Sequence, residues 1–281
     1  MKYINSIEEI IEIYDVFLFD QWGVLHNGKN LYNNAEKIIE KLLNLNKKVF
    51  VVSNSGKRSF DNLDRLRLMG ANSILKSEII TSGDVCYYYL KNEKGPFKKM
   101  GKKYYPIGLD YPLLKDTQFS KVKNVKEANF FLLTTTAGFK NFNDAYKDIQ
   151  IGINFNIPLI CSNPDILGIS GNKIHASTGD LAFYYKKNGG IVYLFGKPEI
   201  EIFDYVYSKS NCKKNQMIMI GDSLFNDIAG ANKFGIDSLF IKEGIHRESF
   251  SENISDIDII KNIKSDLQIT GRPDYIMDEI N

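Results

Sequence analysis

The sequence predicts an α/β protein: a doubly wound, Rossmann-like parallel sheet with an inserted α/β cap domain. Two observations carry this expectation. Short apolar runs, each closing on a polar residue or glycine, alternate with amphipathic helical patterns. That rhythm breaks over residues 83–185 and resumes after Gly189-Gly190. With 281 residues and 43% hydrophobic content, the chain has material for a sizeable core and two structural units.

Taken in order, residues 16–19 (VFLF) run into Asp20, and residues 48–52 (KVFVV) run into Ser53. Residues 191–195 (IVYLF) run into Gly196 and Lys197, and residues 217–220 (MIMI) into Gly221 and Asp222. Unbroken β-rich runs of this length suit strands covered on both faces of a parallel sheet. Between them, Ile38, Ile39, Leu42 and Leu43 share one helical face, as do Leu224, Ile228 and Ala231, with Gly235 placed to end the helix. Ile202 and Val206 mark another helix. The interrupting segment holds strand candidates at residues 130–133 and 158–161, and the aromatic stretch 87–89 reads as part of a helix. The expected division is a core from residues 1–82 and 186–281, with the cap at 83–185 between.

In an open parallel sheet, ligands bind beyond the carboxyl ends of the strands. Asp20, Ser53, Lys197 and Asp222 all fall at or just past such ends, so four distant segments converge on one edge. Asp20 and Asp222 offer oxygen ligands to a hard cation such as Mg2+, and Asp227, near the first turn of the next helix, supports them. Lys197, Ser53 and the backbone near Asn54 would neutralise phosphoryl oxygens. A carboxylate there can also serve as a nucleophile.

Each residue has a plainer reading. Ser53 and Asn54 are good helix caps, a role compatible with anion binding. Lys197-Pro198 suits a loop and a helix start. Asn163-Pro164-Asp165 suits a turn. His26 suits a hydrogen-bonded loop histidine, and Trp22 suits either core or site wall. His175 and His246 have no partner spacing that suggests a metal site.

The motifs DQWGVL from Asp20, SNS from Ser53, GKP from Gly196 and GDSLFND from Gly221 resemble, in order, the four motifs of the haloacid dehalogenase superfamily. The insertion between the second and third resembles the class IIA branch of p-nitrophenylphosphatase-like and nucleotide phosphatases. CSNPD from Cys161 and residues 179–185 resemble the end of that branch's cap. The resemblance implies Asp20 as nucleophile and metal ligand, with the Trp22 carbonyl, Asp222 and Asp227 serving the metal. It implies Ser53 and Asn54 as phosphate ligands, and Lys197 as the bridge between nucleophile and phosphate. Asn163 and Asp165 would face substrate from the cap. The expected activity is a phosphatase acting on a small phosphorylated metabolite through an aspartyl-phosphate.

One position departs from that pattern. Family phosphatases carry a second Asp two residues after the nucleophile, as general acid and base; Trp22 stands there. That leaves two further readings open: a phosphate-ligand binding or regulatory protein with weakened turnover, and a metal-independent dehalogenase. The acidic fourth motif speaks against the latter. About two dozen residues separate Gly28 from Ser53, too few for the cap of phosphonate-cleaving relatives.

A net charge of +2 points to no polyanion partner, and the basic run at residues 98–103 reads as a solvated loop, so nucleic acid is not expected. Cys86, Cys161 and Cys212, widely spaced, read as reduced thiols. Glu8 and Glu9 occupy the place of a signal peptide's apolar stretch, and no run nears the roughly 18 apolar residues of a membrane span. A cytoplasmic enzyme is expected, with a homodimer compatible with the sequence.

Overall fold

A computed structural model of the chain describes residues 1–136, 143–170, 173–251 and 254–281. The strands, in chain order, are β1 (Lys2–Tyr3), β2 (Val16–Asp20), β3 (Lys48–Ser53), β4 (Glu78–Thr81), β5 (Lys103–Pro106), β6 (Ser120–Lys121) and β7 (Phe130–Leu133). They continue as β8 (Leu159–Cys161), β9 (Leu167–Ser170), β10 (Lys173–Ala176), β11 (Val192–Leu194), β12 (Met217–Gly221), β13 (Asp237–Ile241) and β14 (Tyr275–Met277). The α-helices are α1 (Ala35–Asn44), α2 (Leu63–Leu68), α3 (Ser82–Lys91), α4 (Asn143–Asn154), α5 (Thr178–Lys187), α6 (Ile200–Ser210), α7 (Ala229–Phe234) and α8 (Asp256–Asp266).

The chain forms two compact units: Met1–Ser53, Leu63–Ile80 and Lys197–Asn281 make unit 1, and Asn54–Asn62 with Thr81–Gly196 make unit 2. Among the described residues, unit 1 is built on a seven-stranded sheet in the order β1-β14-β13-β12-β2-β3-β4. β12 pairs in parallel with β2, and β2 with β3, with Ile220 opposite Phe19 and Asp20 opposite Val52. Alternation divides the side chains between two faces. Phe17, Phe19, Val51, Ile218 and Ile220 pack with Ile39 and Leu42 of α1 and Leu66 of α2. On the other side, Phe240 and Ile276 pack with Leu224, Ile228 and Ile260. The sheet is therefore wound on both faces, as the unbroken apolar runs imply. Gly235, at φ +85°, ends α7 where the sequence places its terminus.

Among the described residues, unit 2 has a five-stranded parallel sheet, β11-β8-β7-β5-β6, and an antiparallel pair of β9 and β10. Phe131, Leu133, Leu159 and Cys161 pack with Ile149 of α4 and Leu181 and Tyr185 of α5. Here one expectation is corrected. The run at residues 191–195 reads as a strand of the core sheet, but β11 pairs with β8 in unit 2. An apolar run names its period, not its partner, and as an edge strand β11 is only half-buried. In the basic run, Lys98 and Lys99 are exposed, and Lys102 pairs with Glu93 at 2.6 Å. Cys86, Cys161 and Cys212 are free thiols. Among the described residues, no helix is long and apolar enough to cross a membrane.

Leu42 is fully buried in the unit 1 core, whereas Leu68 is 89% exposed. Leu42→Ala should cost about 3 kcal/mol through lost burial and a residual cavity. Leu68→Ala should stay within about 0.5 kcal/mol of the parent. Urea midpoints for the two variants check this; equal shifts would contradict the packing described.

Candidate active site

Three neighbouring parallel strands end together. Asp20 closes β2, Ser53 closes β3, and Asp222 follows Gly221 at the end of β12. The fourth group arrives from outside the sheet: Lys197 follows β11 and places its ammonium 2.6 Å from Asp20 Oδ1 and 2.8 Å from Asp227 Oδ1. It also donates to the Val52 carbonyl at 2.9 Å. The Lys197 side chain is 2% exposed and that of Asp227 fully buried. Asp20, Asp222 and Asp227 each offer an oxygen within 4.8 Å of the others.

Local structure aims each carboxylate. The Gln21 N–H donates to Asp20 Oδ1 at 2.7 Å, so among the described residues the hydrogen bonds to Asp20 from Gln21 and Lys197 fall on Oδ1 rather than Oδ2. Asp227 lies in a π-helical turn, Leu224–Ile228, capped by Ser223, whose N–H donates to Asp227 Oδ2 at 3.0 Å. Such turns recur at functional sites. Asp222 Oδ2 accepts the Ile245 N–H at 2.7 Å. Gly23 and Gly244, both at positive φ, close on Asp222 so tightly that a Cβ at either would strike its carboxylate.

Three carboxylates around one ammonium leave two negative charges if all ionise, and hard oxygen donors of this kind suit a divalent cation. Burial and mutual repulsion act on the cluster in the meantime. Burial pushes the Asp20 carboxyl up to about 7, with Lys197 pulling it down and Asp227 adding to the rise. Burial, then the charges of Asp20 and Asp227, hold Asp222 well above the carboxylate range. Burial disfavours the Lys197 ammonium, but Asp20 and Asp227 outweigh that and hold its pKa above the ordinary lysine value.

The remaining candidates fall elsewhere. Trp22 is half-buried in the loop after Asp20, its ring edge-on to His26 at 4.9 Å and under the Arg65 guanidinium at 4.6 Å. His26 is fully buried, and its Nδ1 accepts the Gly28 N–H at 3.0 Å. Burial, then the charge of Arg65, push its pKa down to about 4. In unit 2, the Asn54 amide donates to Asp165 Oδ1 at 2.7 Å, joining two residues the sequence leaves unconnected. Asn163 Oδ1 accepts the Asp165 N–H at 3.0 Å, and the Asn163 carbonyl accepts from Thr178 Oγ1 at 2.6 Å. The Asn-Pro-Asp segment is thus the turn its composition suggests. The His175 side chain lies outside the described residues.

Sequence reasoning misses Arg65, Gly244 and Ile245. The run DSLFI of β13 is the available signal for the last two, because its end adjoins that of β12.

Two family models match the chain: one described as haloacid dehalogenase-like hydrolase over residues 17–115, and one described as HAD-hydrolase-like over residues 194–281. With the motif order and the site above, the chain belongs to the haloacid dehalogenase superfamily. Phosphoglycolate phosphatase 2 of Arabidopsis thaliana is 24% identical over 268 residues, spanning 87% of this chain and 88% of its own length. A haloacid dehalogenase-like hydrolase from Brucella suis 1330 has the same fold, with a TM-score of 0.81 at 23% identity over 99% of this chain and 100% of that one. Glycerol phosphate phosphatase from Mycobacterium tuberculosis, solved in complex with magnesium, matches with a TM-score of 0.69 at 16% identity over 98% of this chain and 78% of that one.

The raised pKa of Asp20 gives a signed expectation. A carboxyl whose folded pKa lies near 7, above its unfolded value, contributes stability below about pH 4 that is lost as pH rises toward 7. In chelator, the thermal midpoint of the parent should therefore fall relative to Asp20→Asn between pH 5 and pH 8. Added magnesium should raise the parent's midpoint more at pH 8 than at pH 5. A parent–variant difference that ignores pH would refute the electrostatic account.

Proposed function

We propose that the chain is a magnesium-dependent phosphatase of small phosphorylated metabolites that works through phosphorylation of Asp20. The observation that carries the reading is the Lys197 ammonium set between Asp20 and Asp227 beside Asp222. Asp20, Asp222, Asp227 and the Trp22 carbonyl are the groups assigned to the cation, which when bound supplies positive charge to the phosphoryl oxygens. Asp20 Oδ2 attacks phosphorus, a P–O bond to Asp20 forms, and the P–O bond to the leaving group breaks. Lys197 favours the ionised form of Asp20 against the effect of burial and faces the charge developing on the phosphoryl group. Ser53 and the backbone at Asn54 are assigned to the same oxygens. Water then attacks phosphorus, frees inorganic phosphate and regenerates the Asp20 carboxylate. Asn163 and Asp165 are assigned to substrate selection in unit 2, with Asp165 oriented by Asn54.

Trp22 sets the limits of this chemistry. It has no proton to give the leaving oxygen, and general acid–base help is worth roughly 10²–10⁴ in rate. His26 is a poor substitute, because it is fully buried and neutral near pH 7 with Nδ1 already accepting a hydrogen bond. The leaving oxygen must depart as an anion or take its proton from water. Trp22 also favours a second reading, in which the chain binds a phosphorylated ligand with little turnover. A ligand that raises the thermal midpoint yet survives prolonged incubation would select it.

Asp20→Asn should abolish turnover of 4-nitrophenyl phosphate and acetyl phosphate while preserving the circular dichroism spectrum. In the parent, the phosphorylation rate should fall steeply as leaving-group pKa rises, placing aryl and acyl phosphates ahead of alkyl phosphates. His26→Ala should leave that slope unchanged. A folded, active Asp20→Asn variant would remove the nucleophile assignment, and a slope that steepens in His26→Ala would make His26 the acid.

A further inference from the structure

Unit 1 holds a pocket of about 680 Å3 between α8 and the segment leading into β14. It lies away from the catalytic carboxylates. Those residues sit at the carboxyl ends of parallel strands, whereas this lining includes Met1 and Pro273, which precede β1 and β14 at the opposite end of the sheet. Its floor is apolar and fixed. Ile260 is 5% exposed within the cluster of Phe240 and Ile276, and Ile269 packs against the same cluster. Ile257, 64% exposed, carries the apolar surface outward.

The rim is cationic. Lys261, Lys264 and Arg272 line the pocket, and among the described residues none of the three has a carboxylate partner. Ile257, Lys261 and Lys264 recur at helical spacing, so one face of α8 runs from an apolar end to a charged end over about 10 Å. A ligand that covers the exposed Ile257 and also pairs with the three cations uses both features, whereas a neutral ligand or a small anion uses only one.

We propose that this pocket binds an anionic amphiphile: a medium-chain hydrocarbon body with a carboxylate head. The body lies on Ile257, Ile260 and Ile269, and the head meets Lys261, Lys264 and Arg272. The volume suits a small organic molecule, since ligand pockets commonly span roughly 300–1,000 Å3.

Calorimetric titration of the full chain with decanoate, kept below its micelle concentration, tests this. Decanoate should bind the parent and Asp20→Asn alike. The triple variant Lys261→Gln, Lys264→Gln, Arg272→Gln should bind at least about tenfold more weakly, and decanol should bind the parent at least about tenfold more weakly than decanoate does. Ile257→Gln, a surface change that should not disturb folding, should also weaken decanoate. Undiminished decanoate binding by the triple variant would overturn the proposal. So would acetate or inorganic phosphate competing as well as decanoate does, which would mark a plain anion site. Capture by anionic vesicles without uptake of monomeric decanoate would overturn it in favour of a membrane surface.

Discussion

The Lys197 ammonium lies between Asp20 and Asp227, and the carboxylate cluster at the strand ends of unit 1 depends on it. Burying an isolated ion costs several kcal/mol, so this charge is tolerable only with its carboxylates, and they only with it. Take the ammonium away and Asp20, Asp222 and Asp227 repel one another in a largely buried site. The pair thus does two things at once: Lys197 draws the Asp20 pKa down against the effect of burial, and it fixes the direction of the carboxylate by occupying Oδ1. Lys197 also takes the Val52 carbonyl, which ties the cluster to the backbone beside Ser53.

Around that pair the backbone leaves little freedom. Asp222 is held by the Ile245 N–H and closed in by Gly23 and Gly244, so its carboxylate has essentially one place to be. Asp227 is pinned through the Ser223 N–H in a widened helical turn. Preorganisation of this kind is what makes fixed charges effective, since no reorganisation is required as phosphoryl charge develops. The same arrangement suits a divalent cation, because one ammonium does not balance three carboxylates.

Much of this was legible beforehand, for identifiable reasons. Strands buried on both faces announce themselves as unbroken apolar runs, so β2, β3, β7 and β12 are readable within a residue of their bounds. Their polar ends follow from strand polarity alone, which brings Asp20, Ser53 and Asp222 to one edge. What failed to show was partnership. β11 is apolar enough for either sheet, and nothing in IVYLF distinguishes an edge strand of unit 2 from a central strand of unit 1. The Asn54–Asp165 hydrogen bond and the Arg65–Trp22 contact join residues with no shared period, so no pattern along the chain encodes them. The departure at Trp22 was visible at once, but the burial of His26 and the engagement of its Nδ1 needed three dimensions.

The pairing of β2 with β12 carries a consequence for how the molecule comes into being. Val16 and Met217, about two hundred residues apart, are neighbours in the centre of the sheet. During synthesis β2 and β3 leave the ribosome long before β12 exists, so the strand that ends in Asp20 waits with an open, apolar edge. The sheet closes only after all of unit 2 has been made. Until that moment the nascent chain is most exposed to mispairing along β2, the strand that ends in Asp20.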